Sequence, residues 1–411
     1  MKLSDCTFCL PSFSGGGAER VFVNLISEFV HRDQYAFQNS HIEKMNNGKK
    51  DTVAVDADEA SGLADSGKTL SVSCIVMSEQ GAMRKLIPNT CNLVSIGGNS
   101  AKSSLLRLAM VFHWQKPKIV ISTMAYFNFI IILALIISLH RPKRILLREA
   151  NIPSSTIESL PMRWLGRFLY KWLYNRADIV ICNSSETLDE LVDLGVDQSR
   201  VALIPNPVDV DGVRKQALEA FSLPHFLDPL LPLFVSLGRL TKQKGMDRLI
   251  TWVASMGSKA NLLIIGQGAE RDELERLIDI NALTGRAKII DFQDNPFPYM
   301  SNADAVLLGS RWEGLPNVAL EALALGKQVV ATTHCGGLLD IKHLLDDQAL
   351  VIADTDEEYI STLDRIVDRH QSPRNIKKTA RIDNQLADSK LPSNYNLDVV
   401  MEKYEAAIFG R

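Results

Sequence analysis

The stretch Ser310-Arg-Trp-Glu-Gly-Leu-Pro-Asn-Val-Ala-Leu-Glu-Ala-Leu-Ala-Leu-Gly-Lys327 combines a polar turn with an Ala/Leu-rich helix. Pro316 suits the first turn of that helix, where its missing N–H is not needed, and Gly326 suits its end. Glu313 then lies just before the helix N-terminus, and Glu321 lies within the helix. A helix N-terminus has unpaired N–H groups and a positive dipole end, which attract anions. Two carboxylates beside it indicate a ligand that is part anion and part polyol, although an ordinary amphipathic helix has the same pattern.

Length and composition predict a two-domain globular protein. The chain has 411 residues, which is more than one hydrophobic core usually organises. Its hydrophobic content of 46% and charged content of 23% are typical of soluble domains. The formal net charge of -3 argues against general nucleic-acid binding.

The six scattered cysteines predict free thiols in a reducing cytoplasm. Cys6 and Cys9 have CxxC spacing, but they lie in an apolar run without a second pair, which favours two core residues over a metal or redox site. Asp5 and a Ser-Gly-rich turn interrupt any signal-peptide pattern at the N-terminus. The longest apolar run, 127–139, is too short to span a bilayer and is typical of a buried helix.

Short apolar strands alternate with helical patterns along the chain, which predicts parallel sheets covered on both faces. The first strand is followed by Gly15, Gly16 and Gly17 and then by a helix, an arrangement that lets a backbone approach a ligand closely. This triplet is not GxGxxG, and a flexible loop explains it equally well. Strands are predicted at 7–11, 70–77, 93–96, 118–122, 145–147, 179–182, 201–204, 233–237, 261–265, 288–292, 305–308 and 328–331.

The order of these elements predicts two Rossmann-like, doubly wound α/β domains that face a cleft, with ligands at the strand C-terminal ends. The predicted domains are 1–205 and 206–390. A helix within 391–411, near 399–408, is expected to cross back to the first domain. Residues 38–68 are polar and nearly free of aromatics, so they predict an exposed or disordered insertion.

The segment 161–178 interleaves basic residues with aromatic and aliphatic ones at helical spacing. Its cations are Arg163, Arg167, Lys171 and Arg176. This pattern is typical of a helix on an anionic membrane surface. A helix that buries one face and solvates its charges is the alternative.

Four features of the second domain follow strands, so they are expected at one edge of its sheet. Arg239 and Lys244 suit a diphosphate, because they offer a guanidinium fork and a point charge. Gly266 lies in a second tight loop, and Phe292 lies in a third loop whose backbone could meet a flat base. The Glu313–Glu321 stretch is the fourth. Together they describe a pocket for a nucleotide sugar.

The chain resembles the retaining glycosyltransferases of family 4, which have the two-domain GT-B fold. The likeness covers nearly the whole chain apart from the polar insertion. It is most specific in the loop 238–245 and in 313–321, which is similar to the E-x7-E signature of that family. The stretches 183–184, 201–207 and 295–304 are also similar.

The resemblance implies a role for each matching residue. Arg239 and Lys244 would hold the donor diphosphate and stabilise it as it leaves, and Glu313 would contact the hydroxyls of the donor sugar. Glu321 would hold the ribose. Further donor contacts are expected at Gly16, Gly17, Gly266, Phe292, Gly314, Leu315, Pro316 and Asn317. No metal ion and no cofactor are implied, because cations and a helix dipole would neutralise the leaving group.

One departure concerns the acceptor side. Many relatives have a His in the loop where this chain has Ala150, so the sugar contacts of that His are in doubt. Arg148, Glu149 and Asn151 are the residues expected to contribute instead.

The resemblance therefore implies a retaining, metal-independent hexosyltransferase, and the expected donor is a UDP-sugar. The expected acceptor is a glycan or a lipid-linked glycan in cell-surface polysaccharide or lipopolysaccharide synthesis. The expected location is the cytoplasm, with peripheral contact to the inner face of the membrane through 161–178. The alternatives are a GT-B epimerase or phosphorylase and a nucleotide-sugar-binding protein whose catalysis has lapsed. A phosphorylase would need a pyridoxal phosphate lysine site, for which the sequence has no supporting motif.

Overall fold

A computed structural model describes residues 6–14, 16–47, 71–97, 101–160, 162–220, 224, 227–371 and 386–410. Contacts divide the chain into two compact units. The first unit comprises Met1–Arg148 and Phe168–Val180, and the second comprises Glu149–Arg167 and Ile181–Arg411. The predicted domain boundaries stay a prediction.

The first sheet has seven strands in the order β3-β2-β1-β4-β5-β6-β7. In chain order its strands are β1 (Cys6–Leu10), β2 (Val72–Val76), β3 (Asn92–Ser95), β4 (Ile119–Thr123), β5 (Arg144–Glu149), β6 (Ile179–Cys182) and β7 (Val201–Leu203). The interior strand β1 is parallel to β2 and to β4, and its residues are fully buried. Cys6 and Cys9 therefore lie in the core as free thiols, as the apolar run predicts.

The second sheet has six strands in the order β10-β9-β8-β11-β12-β13. Its strands are β8 (Leu233–Leu237), β9 (Asn261–Ile265), β10 (Ala287–Ile290), β11 (Ala305–Leu308), β12 (Gln328–Thr332) and β13 (Leu350–Ala353). Alternate residues pack into different clusters: Val235 and Val306 join one buried cluster, while Phe234 and Leu307 join another. Both faces of the sheet are thus covered, as continuous apolar strands require.

Helices connect the strands in both units. They are α1 (Gly17–Asn47), α2 (Ala101–Gln115), α3 (Ala125–Ser138), α4 (Pro153–Glu158), α5 (Arg163–Leu169), α6 (Ser185–Asp193), α7 (Val210–Ala217), α8 (Met246–Ser255), α9 (Arg271–Ile280), α10 (Phe297–Ser301), α11 (Asn317–Ala324), α12 (Leu339–Lys342), α13 (Asp356–His370) and α14 (Leu397–Phe409). No helix in the described ranges is long and apolar enough to cross a membrane.

The structure corrects several predicted elements. Strand β13 was not predicted, because its short apolar run has no periodicity of its own. Helix α1 continues to Asn47, so the first part of the predicted insertion 38–68 is helical, and its remainder from 48 lies outside the described residues. Pro316 precedes α11 as its N-cap and does not begin the helix. Gly326 does end that region, in a left-handed conformation with φ of 72°.

Candidate active site

The candidate residues of the second unit lie at one edge of its sheet. Strands β10, β9, β8 and β11 are parallel neighbours, so the loops that follow them begin at the same edge. Arg239 and Lys244 lie in the loop after β8, Gly266 in the loop after β9, Phe292 after β10 and Glu313 after β11. Open α/β sheets bind ligands at this edge.

The loop after β8 presents two cations. The side chain of Arg239 is exposed and donates to Oε1 of Gln243 at 3.4 Å, whereas Lys244 is half-buried. A 3-10 turn at Lys242–Lys244 ends at Gly245, whose φ of 61° is left-handed. A Cβ atom on Gly245 would lie 1.9 Å from the carbonyl oxygen of Gly309. Glycine therefore allows the loop after β8 to touch the loop after β11.

Lys244 and Glu313 form an ion pair between these two loops. The ammonium group of Lys244 donates to Oε1 of Glu313, and the two side chains are only 20% and 11% exposed. The hydroxyl of Ser310 donates to the same oxygen at 3.0 Å. The backbone N–H of Glu313 donates to the carbonyl of His334 at 2.9 Å, which fixes the position of the residue. Such partial burial makes the attraction stronger than that of a surface pair.

A second charged pair joins the loop after β11 to the first turn of α8, which directly follows the loop after β8. Arg311 donates from Nη1 and Nη2 to the two carboxylate oxygens of Asp247 at 2.9 and 2.7 Å. The guanidinium of Arg311 holds the pKa of Asp247 below its usual range, mainly through these hydrogen bonds. The side chain of Gln243 also donates to the carbonyl of Trp312 at 3.1 Å. We call this set of contacts the loop clamp.

Asn206 holds the N-terminus of α11, and Asn183 packs against the loop before it. The amide of Asn206 donates to the carbonyl of Leu315 at 3.1 Å and to Oδ1 of Asn317 at 2.7 Å. A Cβ atom on Gly314 would lie 3.0 Å from Oδ1 of Asn183. The loop that precedes the helix is therefore packed tightly. The backbone N–H groups of the first turn and the helix dipole can attract an anion.

The remaining predicted donor residues of the second unit have different environments. A Cβ atom on Gly266 would lie 1.9 Å from the carbonyl of Gly238, so close packing of two loops already explains this glycine. Phe292 follows β10 and is half-exposed, with 49% of its surface accessible. Glu321 is half-buried within α11. The structure places all three in the second unit but does not test their contacts with a donor.

The predicted residues that precede 152 are mostly packed into the protein. Arg148 is 1% exposed and donates to Oγ1 of Thr123 at 3.2 Å within the first unit. Glu149 is fully buried, and Asn151 is half-buried. Gly16 lies against the carboxylate of buried Glu19, where a Cβ atom would be 2.2 Å from Oε2, and Gly17 begins α1. Gly15 lies outside the described residues.

Ala150 is buried, and its carbonyl oxygen accepts a hydrogen bond from the amide of Asn183 at 3.4 Å. The backbone of this position thus supports the region that packs against Gly314. Within the described ranges, no group of three or more His, Cys, Asp and Glu side chains is arranged to hold a metal ion.

Sequence reasoning missed the residues of the loop clamp. Asp247 and Arg311 are 64 positions apart, and no spacing rule connects them. Asn206 could have been recognised from the sequence. It stands between two prolines directly after β7, so it cannot be part of a helix interior.

Two family descriptions match the chain. Residues 92–211 match "Glycosyltransferase Family 4", and residues 224–383 match "Glycosyl transferases group 1". The second range contains the whole of the site from Arg239 to Glu321.

Curated relatives are similar over part of their length. A Campylobacter jejuni N-acetylgalactosamine-N,N'-diacetylbacillosaminyl-diphospho-undecaprenol 4-alpha-N-acetylgalactosaminyltransferase is 29% identical over 52% of this chain and 57% of its own length. The lipopolysaccharide core biosynthesis glycosyltransferase LpsE of Rhizobium meliloti is 30% identical over 40% of this chain and 46% of its own. The aligned region therefore spans about half the length of these relatives.

Solved structures match the whole architecture. Anabaena HepE in complex with UDP and glucose has a TM-score of 0.71 at 17% identity, over 99% of this chain and 100% of that one. WaaG, described as a glycosyltransferase involved in lipopolysaccharide biosynthesis, has a TM-score of 0.66 at 16% identity, over 99% and 100% of the two chains. The chain therefore has the two-domain α/β GT-B fold.

Proposed function

We propose that this protein is a retaining, metal-independent glycosyltransferase of family 4 that uses a UDP-sugar. The proposed acceptor is a glycan or a lipid-linked glycan in cell-surface polysaccharide synthesis, of the lipopolysaccharide type. The contact of Lys244 with Glu313 at the ligand-binding edge of the second sheet carries the proposal. The names of the Campylobacter and Rhizobium relatives and the HepE complex with UDP-glucose support the substrate classes.

The proposed reaction breaks the bond between the anomeric carbon of the sugar and the β-phosphate oxygen. Negative charge grows on the departing diphosphate, and Arg239 and Lys244 are the cations placed to stabilise it. A preorganised charge of this kind typically contributes about 10²- to 10³-fold to the rate. The N–H groups at the start of α11 add a second source of positive potential near the diphosphate. These groups replace the role of a metal ion in our proposal.

Glu313 has a positioning role in this proposal. Both Lys244 and Ser310 donate to its Oε1, which leaves Oε2 to accept hydrogen bonds from the hydroxyls of the donor sugar. Glu321 would hold the ribose. The acceptor hydroxyl attacks from the same face that the diphosphate leaves, and the leaving phosphate oxygen takes the hydroxyl proton. The configuration of the anomeric carbon is thereby retained.

We also propose peripheral contact with the inner face of an anionic membrane through 161–178. Helix α5 and the helical turn after it, Tyr170–Tyr174, bury Tyr170 and Tyr174 and leave Phe168 and Trp172 exposed. The rings of these two exposed residues stack with centroids 6.2 Å apart, and the guanidinium of Arg176 lies 3.7 Å from the centre of the Trp172 ring. Tyr170 and Tyr174 already anchor the segment in the protein without Phe168 and Trp172. The exposure of these two aromatic side chains therefore favours contact with a partner at the surface.

Release of nucleotide from a panel of UDP- and GDP-sugars tests the proposed reaction. We expect release of UDP with a suitable acceptor, and an Arg239→Ala variant that keeps its fold should lose about 10²-fold or more of this activity. Lys242→Ala is the matched control, because Lys242 is an exposed cation of the same loop without a side-chain partner among the described residues. Tight binding without release in any combination would favour a nucleotide-sugar-binding protein, and an isomerised donor would favour an epimerase.

A further inference from the structure

Helix α2 leaves an apolar stripe exposed. Leu106, Met110 and Trp114 are spaced four residues apart and are 60%, 62% and 76% exposed. Side chains at this spacing lie on one face of a helix. The opposite side of α2 contributes Leu108 and Phe112 to the core, so the helix is already anchored without the stripe. An exposed apolar stripe of this length indicates an interaction surface.

A second apolar group lies at the end of α3, beside the end of α2. Leu139 is 91% exposed and has a left-handed φ of 56°, which non-glycine residues rarely adopt. Nδ1 of His113 lies 3.0 Å from the carbonyl oxygen of Ser138, and Nε2 of His140 lies 2.8 Å from that of Pro117. These two contacts join the ends of α2 and α3, so Trp114 and Leu139 belong to one surface.

The same surface borders a shallow apolar pocket of about 250 Å³. Leu139, Ile132 and Ile145 line the pocket together with Arg141 and Arg176. The pocket thus offers hydrocarbon contact beside positive charge, which is the pattern of an amphiphile-binding surface.

The segment that contains α2 and α3 has a strong excess of positive charge. Eight basic residues and no acidic residue occur from Ala101 to Arg148, in a protein whose net charge is -3. The basic residues are Lys102, Arg107, Lys116, Lys118, Arg141, Lys143, Arg144 and Arg148. Of these, Lys116, Lys118, Arg141 and Lys143 are exposed near the ends of α2 and α3. Asp178 is the acidic neighbour, 3.8 Å from Arg141, and it also accepts a hydrogen bond from the backbone of Ile145.

We propose that this surface, the α2–α3 edge, inserts Trp114 and Leu139 into an anionic phospholipid bilayer. The apolar stripe and Leu139 would enter the interfacial region, where tryptophan is favoured, and the exposed cations would bind lipid phosphates. A second copy of the chain is a poorer occupant, because a symmetric contact would bring the same cations face to face. The surface lies on α2, α3 and the ends of these helices, and Arg176 of its pocket is the one residue that the proposal shares with 161–178. The proposal does not depend on glycosyl transfer.

Co-sedimentation with phosphatidylcholine vesicles, with and without phosphatidylglycerol, tests the α2–α3 edge. We expect the unmodified protein to bind the anionic vesicles and to release them as salt is raised. The double variant Trp114→Ser, Leu139→Gly should bind at least about ten-fold more weakly, because two apolar side chains no longer leave water. Glycine suits the left-handed position 139, so this variant should keep its unfolding temperature.

The matched control is the double variant Leu230→Gly, Ile280→Ser. These residues are 81% and 79% exposed in the second unit and should leave vesicle binding unchanged. Equal vesicle binding by the Trp114, Leu139 variant and the unmodified protein would overturn the proposal. So would a stable dimer in sedimentation velocity that dissociates in this variant while vesicles remain unbound. Loss of binding only on charge reversal of Arg163, Arg167 and Lys171 would assign membrane contact to the 161–178 segment alone.

Discussion

The ammonium group of Lys244 donates a hydrogen bond to Oε1 of Glu313, which lies 69 positions later in the chain. Each residue thereby fixes the other at the edge of the second sheet. In the proposed reaction, the pair would hold a cation in position before the diphosphate of the donor binds, as electrostatic catalysis requires.

We predict that Lys244→Met lowers the turnover of the nucleotide sugar by about 10²- to 10³-fold, because the departing diphosphate loses a fixed charge. The substitution also leaves the carboxylate of Glu313 without its ion partner, so the unfolding temperature should fall modestly. Steady-state kinetics and thermal unfolding measure the two effects. Lys242→Met, in the same loop, should change neither. Normal turnover in Lys244→Met would refute the assigned role.

The loop clamp predicts an effect at a residue that is not expected to touch the substrate. Arg311→Lys keeps the charge but cannot bridge both oxygens of Asp247. We expect kcat/KM to fall about ten-fold, since small displacements of catalytic groups are costly. Arg276→Lys is the control, because Arg276 pairs with Glu273 on an exposed surface of α9. Kinetics identical to the unmodified protein would show that the clamp does not position the site.

Substitutions at Gly245 and Gly285 distinguish the stability cost of a steric contact from the cost of backbone strain. Gly245 and Gly285 both have positive φ, but a Cβ atom at 285 would meet nothing within 4 Å. Gly285→Ala should therefore lower the free energy of unfolding by about 1–2 kcal/mol, the cost of a left-handed residue. Gly245→Ala should lower it by clearly more, because its Cβ atom meets the carbonyl of Gly309. Equal losses in urea titrations would contradict the contact.

The proposed independence of metal predicts that turnover survives chelation. After treatment with EDTA and gel filtration, the rate of UDP release should stay within about two-fold of the untreated rate, because Arg239 and Lys244 would supply the neutralising charge. Added Mg²⁺ or Mn²⁺ should not raise it further. A rate that disappears with EDTA and returns with one of these ions would contradict the proposal.

The ionisation of Glu186 should make the stability of the folded protein depend on pH. Burial raises the pKa of this carboxyl, and nearby Glu190 and Asp340 raise it further. Since the folded protein then holds this proton more tightly than the unfolded chain, stability is lost as pH rises from the unfolded pKa through the folded one. Glu186→Gln removes the charge at every pH.

The unfolding temperature of Glu186→Gln should therefore exceed that of the unmodified protein at about pH 8, and the difference should shrink towards about pH 5. Glu402→Gln, at an exposed position of α14, should show little difference at either pH. A constant difference at both values would contradict the raised pKa.

The sequence predicted the architecture well because parallel sheets leave a strong pattern. The predicted strands 179–182, 233–237, 261–265 and 305–308 agree with β6, β8, β9 and β11. Strand β13 was missed, since four apolar residues are too few to show a period. The helical start of the predicted insertion, up to Asn47, was missed because polar composition indicates exposure but does not exclude a helix.

The candidate site was predictable only where residues follow strands directly. The loops of Arg239, Lys244 and Glu313 were expected at one edge of the sheet, and the structure places them there. Two features were beyond sequence reasoning. The pairing of Asp247 with Arg311 depends on the approach of distant loops, and the burial of Arg148 runs against the usual exposure of arginine. The roles of all these residues in substrate binding stay predictions.

The close approach of Gly245 to Gly309 has a consequence for protein engineering. Neither loop has room for a side chain at this contact, and the loop clamp ties the same two segments through Arg311 and Gln243. In a chimera that takes only one of these loops from a relative, the new loop would not pack against the unchanged one. An attempt to transfer the donor preference of a relative to this chain should therefore exchange residues 238–247 and 309–317 together.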